Sequence, residues 1–424
     1  MQVIRYNLPM RTYLFLVIWG FICLNSTASQ AIGAPQFSLE QLMQIAAQEN
    51  PIMNVLKAQE DSARASIKTA ESFLNPEIEA GSGPTKDRNT SQDKKGNWGV
   101  TISQSLEFPN VRNARRAIAE SKLQYVESNS FSTKVNLNLQ IKKRFYDVIQ
   151  NQEILKIAES DRDSLRDIRG RVALKVDVGD SPRYELIKAD TELIAAERDA
   201  QAAKLKIYES KLYLKGLIGK SIPDEFDVIG VMPNTGIKLD ISQIRNEIKN
   251  SPKLKQIKAA SEVAENRLRL EEKLINPGVT LKAGVDQDPD LTQYRFGLSI
   301  PLPLWNQRQG QIGEASANFQ EVQAQLSDQE LTLTRDVESA YQRYLIAQQQ
   351  VSSFETGLLT QAESVLKVVE AAYRYGERGI LEYLDAQRTY RLVKKDYLTA
   401  RHDYIIAILE IEQLLNIEIM RNQI

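Results

Sequence analysis

Two hydrophobic periods alternate along this chain, and each occurs twice. From Trp98 to Phe108 the apolar residues Trp98, Val100, Ile102, Leu106 and Phe108 alternate with Gly99, Thr101, Ser103, Ser105 and Glu107, and only Gln104 breaks the pattern. Val279, Leu281, Ala283 and Val285 repeat that period, as do Tyr294, Phe296, Leu298, Ile300 and Leu302 against Arg295, Gly297, Ser299 and Pro301. A weaker alternation surrounds Ile78 and Ala80. A period of two predicts strands with one apolar and one polar face. Four are expected, at about 77–83, 97–108, 278–286 and 293–302.

Pro109 and Pro303 follow the second strand of each pair, and the spacing then switches to three or four. From about Val111 to Val176 the apolar positions include Val135, Leu139, Phe145, Ile149, Leu165, Ile168 and Val172; from about Gly310 to Tyr375 they include Phe319, Val322, Leu326, Leu333, Val337, Tyr341 and Val365. Each run is about 65 residues, or about 100 Å of helix. Such a length without internal caps predicts a coiled coil or helical repeat. Val178-Gly179-Asp180-Ser181-Pro182 and Tyr375-Gly376-Glu377-Arg378-Gly379 read as C-cap and turn chemistry. Helices then return over Glu185 to Leu217 and Leu381 to Leu415. A shorter helical stretch, Phe37 to Leu74, opens with Ser38 and Gln41 as a near capping box and breaks at Asn50-Pro51.

Asn50-Pro51 and Asn75-Pro76 recur as Ser251-Pro252 and Asn276-Pro277. A repeat of about 200 residues predicts an internal duplication rather than a solenoid. The halves are expected at 37–219 and 240–416, joined by a connector over 220–239 that carries Pro223, Gly230, Pro233 and Gly236. Each half becomes a tall antiparallel helical hairpin with a strand pair at the opposite end, an α+β class.

A ten-residue alternating strand suits a half-buried soluble sheet or a transmembrane β-strand. Trp98, Phe108, Tyr294 and Trp305 stand near strand ends, where an interfacial aromatic girdle places them. Residues 1–31 read as a secretory signal peptide, with Arg5 and Arg11, an apolar run from Tyr13 to Leu24, and small residues that set cleavage at Ala28, Ala31 or Ala34. Cys23, the only cysteine, lies inside that segment, and Gly20, Phe21 and Ile22 before it do not form a lipoprotein signal. Four strands cannot close a barrel, and open edges in a bilayer leave backbone groups unpaired. Three chains supply about 12 strands and about 12 helical segments, so a homotrimer forming a transmembrane β-barrel and a periplasmic α-barrel is expected, set among outer-membrane lipids.

Composition narrows the chemistry. The chain has 54 basic and 55 acidic residues; without Arg5 and Arg11 the balance is −3, with no basic excess to bind nucleic acid. His402 is the only histidine, and Arg401, Asp403 and Tyr404 around it suggest a surface position rather than a metal ligand. No cysteine–histidine pair or phosphate-cradling glycine loop occurs, and Gly81-Ser82-Gly83-Pro84 lacks the strand–turn–helix setting of a nucleophile elbow. Neither an enzyme nor a cofactor is expected. A periplasmic adaptor also has a signal peptide and a long hairpin, but one hairpin flanked by a compact β-domain; two hairpins with two strand pairs favour a channel.

Tyr373-Arg374-Tyr375-Gly376-Glu377-Arg378-Gly379-Ile380-Leu381-Glu382-Tyr383-Leu384-Asp385-Ala386-Gln387 resembles the second periplasmic-tip motif of TolC-type outer-membrane efflux proteins, a Tyr-x-x-Gly turn before Leu-Asp-Ala. Gly179 to Ala189, with Tyr184 and Glu185, is a weaker match to the first. The resemblance covers nearly the whole chain after residue 31. It implies a trimeric channel-tunnel of a tripartite pump, in the outer membrane of a Gram-negative-type cell, served by a periplasmic membrane-fusion adaptor and an inner-membrane transporter of the RND type. It also implies that Tyr373, Arg378, Glu382, Asp385, Tyr184 and Glu185 hold the periplasmic entrance closed, and that Gly179, Gly376 and Gly379 shape turns meeting the adaptor. Glu382 stands where the family more usually has aspartate. Pro301-Leu302-Pro303-Leu304-Trp305-Asn306-Gln307-Arg308-Gln309-Gly310 is similar to the strand-to-helix junction of the heavy-metal, CzcC-like branch, which implies divalent metal cargo; drug-efflux and type I secretion channels share the same family.

Overall fold

The structure is a computed structural model that describes residues 34–85, 95–276 and 278–420. The signal-peptide expectation, Cys23 and Pro277 lie outside the described residues. Its elements run β1 (Gln36–Phe37), α1 (Leu39–Glu49), α2 (Pro51–Glu71), β2 (Glu77–Thr85), β3 (Lys95–Leu106), α3 (Pro109–Asp177), α4 (Arg183–Ile218), β4 (Asp227–Val228), α5 (Ile241–Glu247), α6 (Pro252–Lys273), β5 (Val279–Asp288), β6 (Leu291–Ser299), α7 (Gln309–Ser353), α8 (Leu359–Arg374) and α9 (Ile380–Leu415). The α3 helix alone has 69 residues, about 100 Å at 1.5 Å per residue.

One lateral order runs from end to end. Four strands form an antiparallel sheet in the order β2-β3-β5-β6. Beneath it α3 packs on α2 and α6, and α6 on α7; further down α3 packs on α4 and α9, and α9 on α7 and α8. One side of the protomer is therefore β2, α2 and α4, and the other is β6, α7 and α8. The long helix of each half is faced by two shorter ones stacked end to end, and Asn50-Pro51 and Ser251-Pro252 begin the upper of the two. Asn50 does this in the first half: its Oδ1 accepts from the Ile52 amide at 2.8 Å, and its Nδ2 donates to the Leu217 carbonyl at the end of α4 at 2.6 Å. Proline follows at the first helical position, where no amide is needed. In the second half Ser251 is buried in the same place, but its Oγ has no hydrogen-bond partner.

The largest core lies at this waist, where Ile141, Val148, Leu214, Val337, Ile405 and Ile408 are buried together. The connector belongs to it. Ile222, Phe226, Val228 and Met232 are buried, and β4 pairs in parallel with β1. Tyr344 and Tyr404 donate to the Ile237 carbonyl at 2.5 and 3.2 Å, and Arg401 donates to the carbonyls of Met232 and Pro233 at 3.0 and 3.2 Å. Burial pushes the Tyr404 phenol above its ordinary pKa, so it remains a donor. Glu412 of α9 is buried too, accepting from Lys142 of α3 at 2.9 Å and from the amides of Ile419 and Met420 at 2.7 and 2.9 Å, which folds the last described residues back onto α9.

Several sequence expectations shift. The first strand after Pro76 runs on to Thr85 rather than 83, and its partner starts at Lys95 rather than 97. The β3 strand ends at Leu106, before Phe108. The last strand ends at Ser299 rather than Leu302, because Pro301 and Pro303 have no amide to donate to a ladder. Phe37 is in β1, not in a helix, because Ser38 caps α1 with both arms of the box, Gln41 amide to Ser38 Oγ at 3.3 Å and Ser38 amide to Gln41 Oε1 at 2.9 Å. The second long helix is interrupted by a π turn at Phe354–Leu358. His402 is not at the surface: its side chain is 14% exposed, and Nε2 lies 2.8 Å from Asp147 Oδ1 across the α3–α9 contact. Burial alone would raise the Asp147 carboxyl, but the bonds and charges of His402 and Arg144 outweigh it and hold the group below its ordinary pKa.

The waist bonds differ in consequence. Asn50→Ala should lower unfolding stability by about 1–2 kcal/mol, since it removes a cap and strands the Leu217 carbonyl. Ser251→Ala should change it little. Denaturant unfolding of the detergent-solubilised protein checks the contrast, and equal losses would contradict it.

Candidate functional site

Two regions carry the features that the sequence singled out: the sheet at one end and the helical turns at the other. In the sheet, register fixes which side chains share a face. Ile78 pairs with Ile102, Ile102 with Ala283, and Ala283 with Phe296; Val100 pairs with Val285, and Val285 with Tyr294. Those rows form an apolar face, half-buried at Ala283 and Val285 of β5 and exposed at Ile78, Val100, Ile102, Tyr294 and Phe296, the last at 86%. The opposite rows are polar or small: Glu77, Ser103, Lys282 and Gly297; Glu79, Thr101, Gly284 and Arg295; Gly81, Gly99, Asp286 and Gln293. The Arg295 Nε donates to Asp286 Oδ2 at 2.6 Å on this face. A Cβ on Gly99 would fall 2.4 Å from Asp286 Oδ1, so the glycine gives that carboxylate its seat. Among the described residues, the outer edges, β2 and β6, have no strand partner.

Beyond β6 the chain becomes an irregular strap. Ile300, Leu302, Leu304 and Trp305 are exposed, and Trp305 at 92% is six residues past the strand rather than at its end. Arg308 then adopts a left-handed conformation (φ 63°) at the N-cap of α7, where its amide bonds Asn306 Oδ1 at 2.9 Å and its guanidinium pairs with Glu271 of α6. At the corresponding junction of the first half, Pro109 takes the first position of α3 directly. The two junctions thus use proline differently: Pro301 and Pro303 stop a strand, and Pro109 starts a helix.

The tip turns share one backbone despite different sequences. The Asp180 amide bonds the Lys175 carbonyl at 2.8 Å and the Gly179 amide bonds that of Val176 at 3.1 Å; Glu377 and Gly376 repeat this onto Ala372 and Tyr373 at 2.9 and 3.2 Å. Both are Schellman turns, with Gly179 at φ 82° and Gly376 at φ 76°. The two turns therefore differ in side chains, not in chain path. Gly379 differs from the other two glycines: at φ −79°, ψ 161° it occupies the N-cap that Pro182 fills in the first turn at φ −74°, ψ 148°. Its conformation needs no glycine.

Around the second turn the predicted residues separate into two groups. Tyr373 is buried, stacked on Tyr383 with ring centroids 5.5 Å apart, and the Lys175 ammonium lies 4.9 Å from its ring centre. Its hydroxyl has no hydrogen-bond partner among the described residues. Burial, with Glu185 adding to it, raises the Tyr373 phenol, so the hydroxyl is a neutral donor. With Leu165, Ile168, Val172, Ile380 and Leu384 these rings form a second core that joins the two hairpins. Arg378, Glu382, Asp385 and Tyr184 are exposed. Arg378 pairs with Glu382 at 2.8 Å, one turn away, rather than with Asp385.

Sequence reasoning missed a buried charge contact between the two hairpins. Asp161 on α3 is 5% exposed and accepts from Arg391 at 2.5 Å and Gln387 at 3.3 Å, both on α9. The partners are 230 and 226 residues apart in sequence, and nothing local marks them. Among the described residues, no group of three His, Cys, Asp or Glu side chains is arranged to hold a metal ion, and no helix is long and apolar enough to cross a membrane.

The turn geometry separates the three tip glycines by experiment. Gly179→Ala and Gly376→Ala should each cost about 1 kcal/mol because they force a side chain into the left-handed region, and Gly379→Ala should be neutral or slightly favourable. Limited proteolysis at the tips, read beside unfolding curves, measures this; equal effects at all three positions would contradict the assignment.

A family model described as outer membrane efflux protein matches residues 42–220 and again 244–416. The cobalt-zinc-cadmium resistance protein CzcC of Cupriavidus metallidurans is 22% identical over 367 residues, covering 86% of each chain. The outer membrane protein TolC of Vibrio cholerae is 20% identical over 410 residues, covering 91% of this chain and 92% of that one. Among solved structures, CusC superposes with a TM-score of 0.76 at 16% identity over 89% of this chain and 91% of its own, and the outer-membrane channel OprN with 0.76 at 15% over 89% of each. The two family matches take in both helical hairpins and both strand pairs, and the chain accordingly belongs to the outer membrane efflux protein family of TolC-type outer-membrane channels with a long periplasmic helical extension.

Proposed function

We propose that three copies of this chain close into a channel-tunnel that conducts divalent metal cations passively from a periplasmic adaptor and an inner-membrane transporter of the RND type to the cell exterior. The observation that carries this reading is the sheet: one apolar face, one polar face, and two edges left unpaired. In hydrocarbon each unpaired backbone group costs several kcal/mol. With strands alternating in direction from β2 to β6, joining β6 of one copy to β2 of the next continues the antiparallel pattern, and three copies give about 12 strands with the polar rows facing the lumen.

The helices support the same closure. Ile187, Ile194, Leu205, Tyr208 and Leu212 are exposed along α4, on the β2 side. Leu331, Ile346, Leu358, Val365 and Val368 are exposed along α7 and α8, on the β6 side. The steps are 7, 11, 3 and 4 residues in the first row and 15, 12, 7 and 3 in the second, all sums of the three- and four-residue steps of a helix. Two long apolar rows on opposite sides of a protomer suit a heterologous ring.

At the tip, Tyr373, Arg378, Glu382, Asp385, Tyr184 and Glu185 are proposed to hold the periplasmic entrance closed, with the unpartnered Tyr373 hydroxyl available to a neighbouring copy. Gly179, Gly376 and Gly379 shape the turns that meet the adaptor. The metal cargo rests on the likeness to CzcC and on the junction sequence Pro301 to Gly310; a wide lumen leaves selectivity to the transporter, and the family acts as channels rather than as enzymes.

Neutralising Arg378 and Asp385 together should raise single-channel conductance in planar bilayers, and an unchanged conductance removes them from the gate. Deleting the chain from its host should lower tolerance to cobalt, zinc or cadmium. Altered drug tolerance with normal metal tolerance would instead assign the cargo to the drug-efflux class.

A further inference from the structure

The two halves begin their upper short helices differently. Asn50 bonds both the first turn of α2 and the end of α4, whereas Ser251, in the same place before α6, bonds neither neighbour. The first backbone bond of α6 runs from the Lys255 amide to the Ser251 carbonyl at 3.0 Å. Among the described residues no side chain caps the Lys253 and Leu254 amides that precede it. A 22-residue helix with an uncapped start presents free amides and the positive end of its dipole to whatever lies in front of it.

In front of it lies a cavity of about 390 Å³. Ser251 forms part of the wall, yet it is only 1% exposed and its hydroxyl has no hydrogen-bond partner. Ser132, Thr133 and Asn136 of α3, Lys253 of α6 and Gln413 of α9 supply the rest of the polar lining, and among the described residues no carboxylate joins them. The Thr133 hydroxyl already donates to the Asn129 carbonyl at 2.9 Å. Gln413 Nε2 donates to Asn136 Oδ1 at 3.0 Å, which leaves Asn136 Nδ2 as a donor. The acid nearest in sequence, Glu412, is engaged by Lys142 and by the amides of Ile419 and Met420. What remains is a set of donors, the Ser132 and Ser251 hydroxyls, Asn136 Nδ2 and the Lys253 amide, with the exposed Lys253 ammonium as the one fixed charge of the lining.

We propose that this cavity is an anion site at the waist, which takes one tetrahedral oxyanion of the phosphate or sulfate class. The ion caps α6 as the Asn50 side chain caps α2, and through Ser132 and Asn136 it ties the start of α6 to α3. Helix N-termini bind such ions through free amides and the dipole together. The donors stand on two helices, and a tetrahedral ion has oxygens to offer both, where a planar carboxylate has two in one plane. The site does not rest on the channel reading. The start of α6 is about 33 Å from the sheet at 1.5 Å per residue, so the ion comes from the surrounding water rather than from a lipid headgroup beside the strands.

Equilibrium dialysis of the full mature chain in neutral detergent against radiolabelled inorganic phosphate tests this. One phosphate should bind per chain, displaced by sulfate but not by chloride or acetate. Lys253→Gln should weaken binding about tenfold or more, the worth of one charge-assisted bond. Lys255→Gln, two residues on and outside the cavity, should leave it unchanged. Ser251→Asn should abolish binding without lowering the unfolding midpoint, because the new side chain can cap α6 itself. No saturable binding, equal displacement by acetate, or equal losses in the Lys253 and Lys255 variants overturns the site. Transfer to nanodiscs of phosphatidylglycerol should keep one phosphate per chain, and its loss there would give the site to a headgroup and overturn the aqueous source.

Discussion

Backbone hydrogen bonding at the edges of the four-stranded sheet is the constraint on which the rest of the molecule depends. Among the described residues, the outer sides of β2 and β6 have no neighbouring strand to pair with their amides and carbonyls. In water they would be solvated; in a hydrocarbon layer only another strand can satisfy them. A sheet that is apolar on one face and polar on the other is stable there only as part of a closed wall. That requirement passes down the chain, because the lateral order of the strands is also the order of the helices below them. Whatever joins β6 to β2 must also set α7 and α8 against the next copy's α2 and α4.

The waist makes this order rigid. Long helices of mostly polar residues gain little from their own propensity and depend on tertiary packing to fix their mutual rotation. Here the packing is concentrated where the short helices abut, and it is secured by polar contacts from remote parts of the chain: Tyr344 and Tyr404 on the Ile237 carbonyl, Arg401 on the Pro233 carbonyl, Glu412 on the last described residues. Towards the tip the packing thins to one small cluster. Stability is thus graded along the axis, firm in the middle and looser at the periplasmic end.

How much of this was legible in the sequence follows from how local each determinant is. Strand positions could be read because a period of two, with Ser, Thr and Gly opposite the apolar residues, fits a two-faced strand and hardly any other element. The last strand was overextended through Leu302 because alternation continues past the point where proline ends the ladder. Helix ends could be read from Gly179 and Gly376, which need positive φ, whereas Gly379 looked equivalent and is not. The π turn left no mark: Phe354 and Leu358 stand four apart, as they would on an α-helix. His402 was misplaced because its charged neighbours in sequence point elsewhere, and the Asp147 that meets it comes from α3, 255 residues away. Asp161 and Arg391 were invisible for the same reason.

A protomer whose two sides are unlike but complementary has a geometric freedom that one with identical sides lacks. Head-to-tail addition has no built-in end; it stops only if the wedge angle of each copy divides a full turn, and otherwise it winds into an open filament. Closure with three copies asks for about 120° per protomer. Between its two sides each copy is held by α3 packed on α6 and α9, and Lys142 with Glu412, His402 with Asp147 and Arg391 with Asp161 bridge α3 to α9. In the ring proposed above, a change in those bridges would open or close the wedge, and with it the number of copies that a full turn holds.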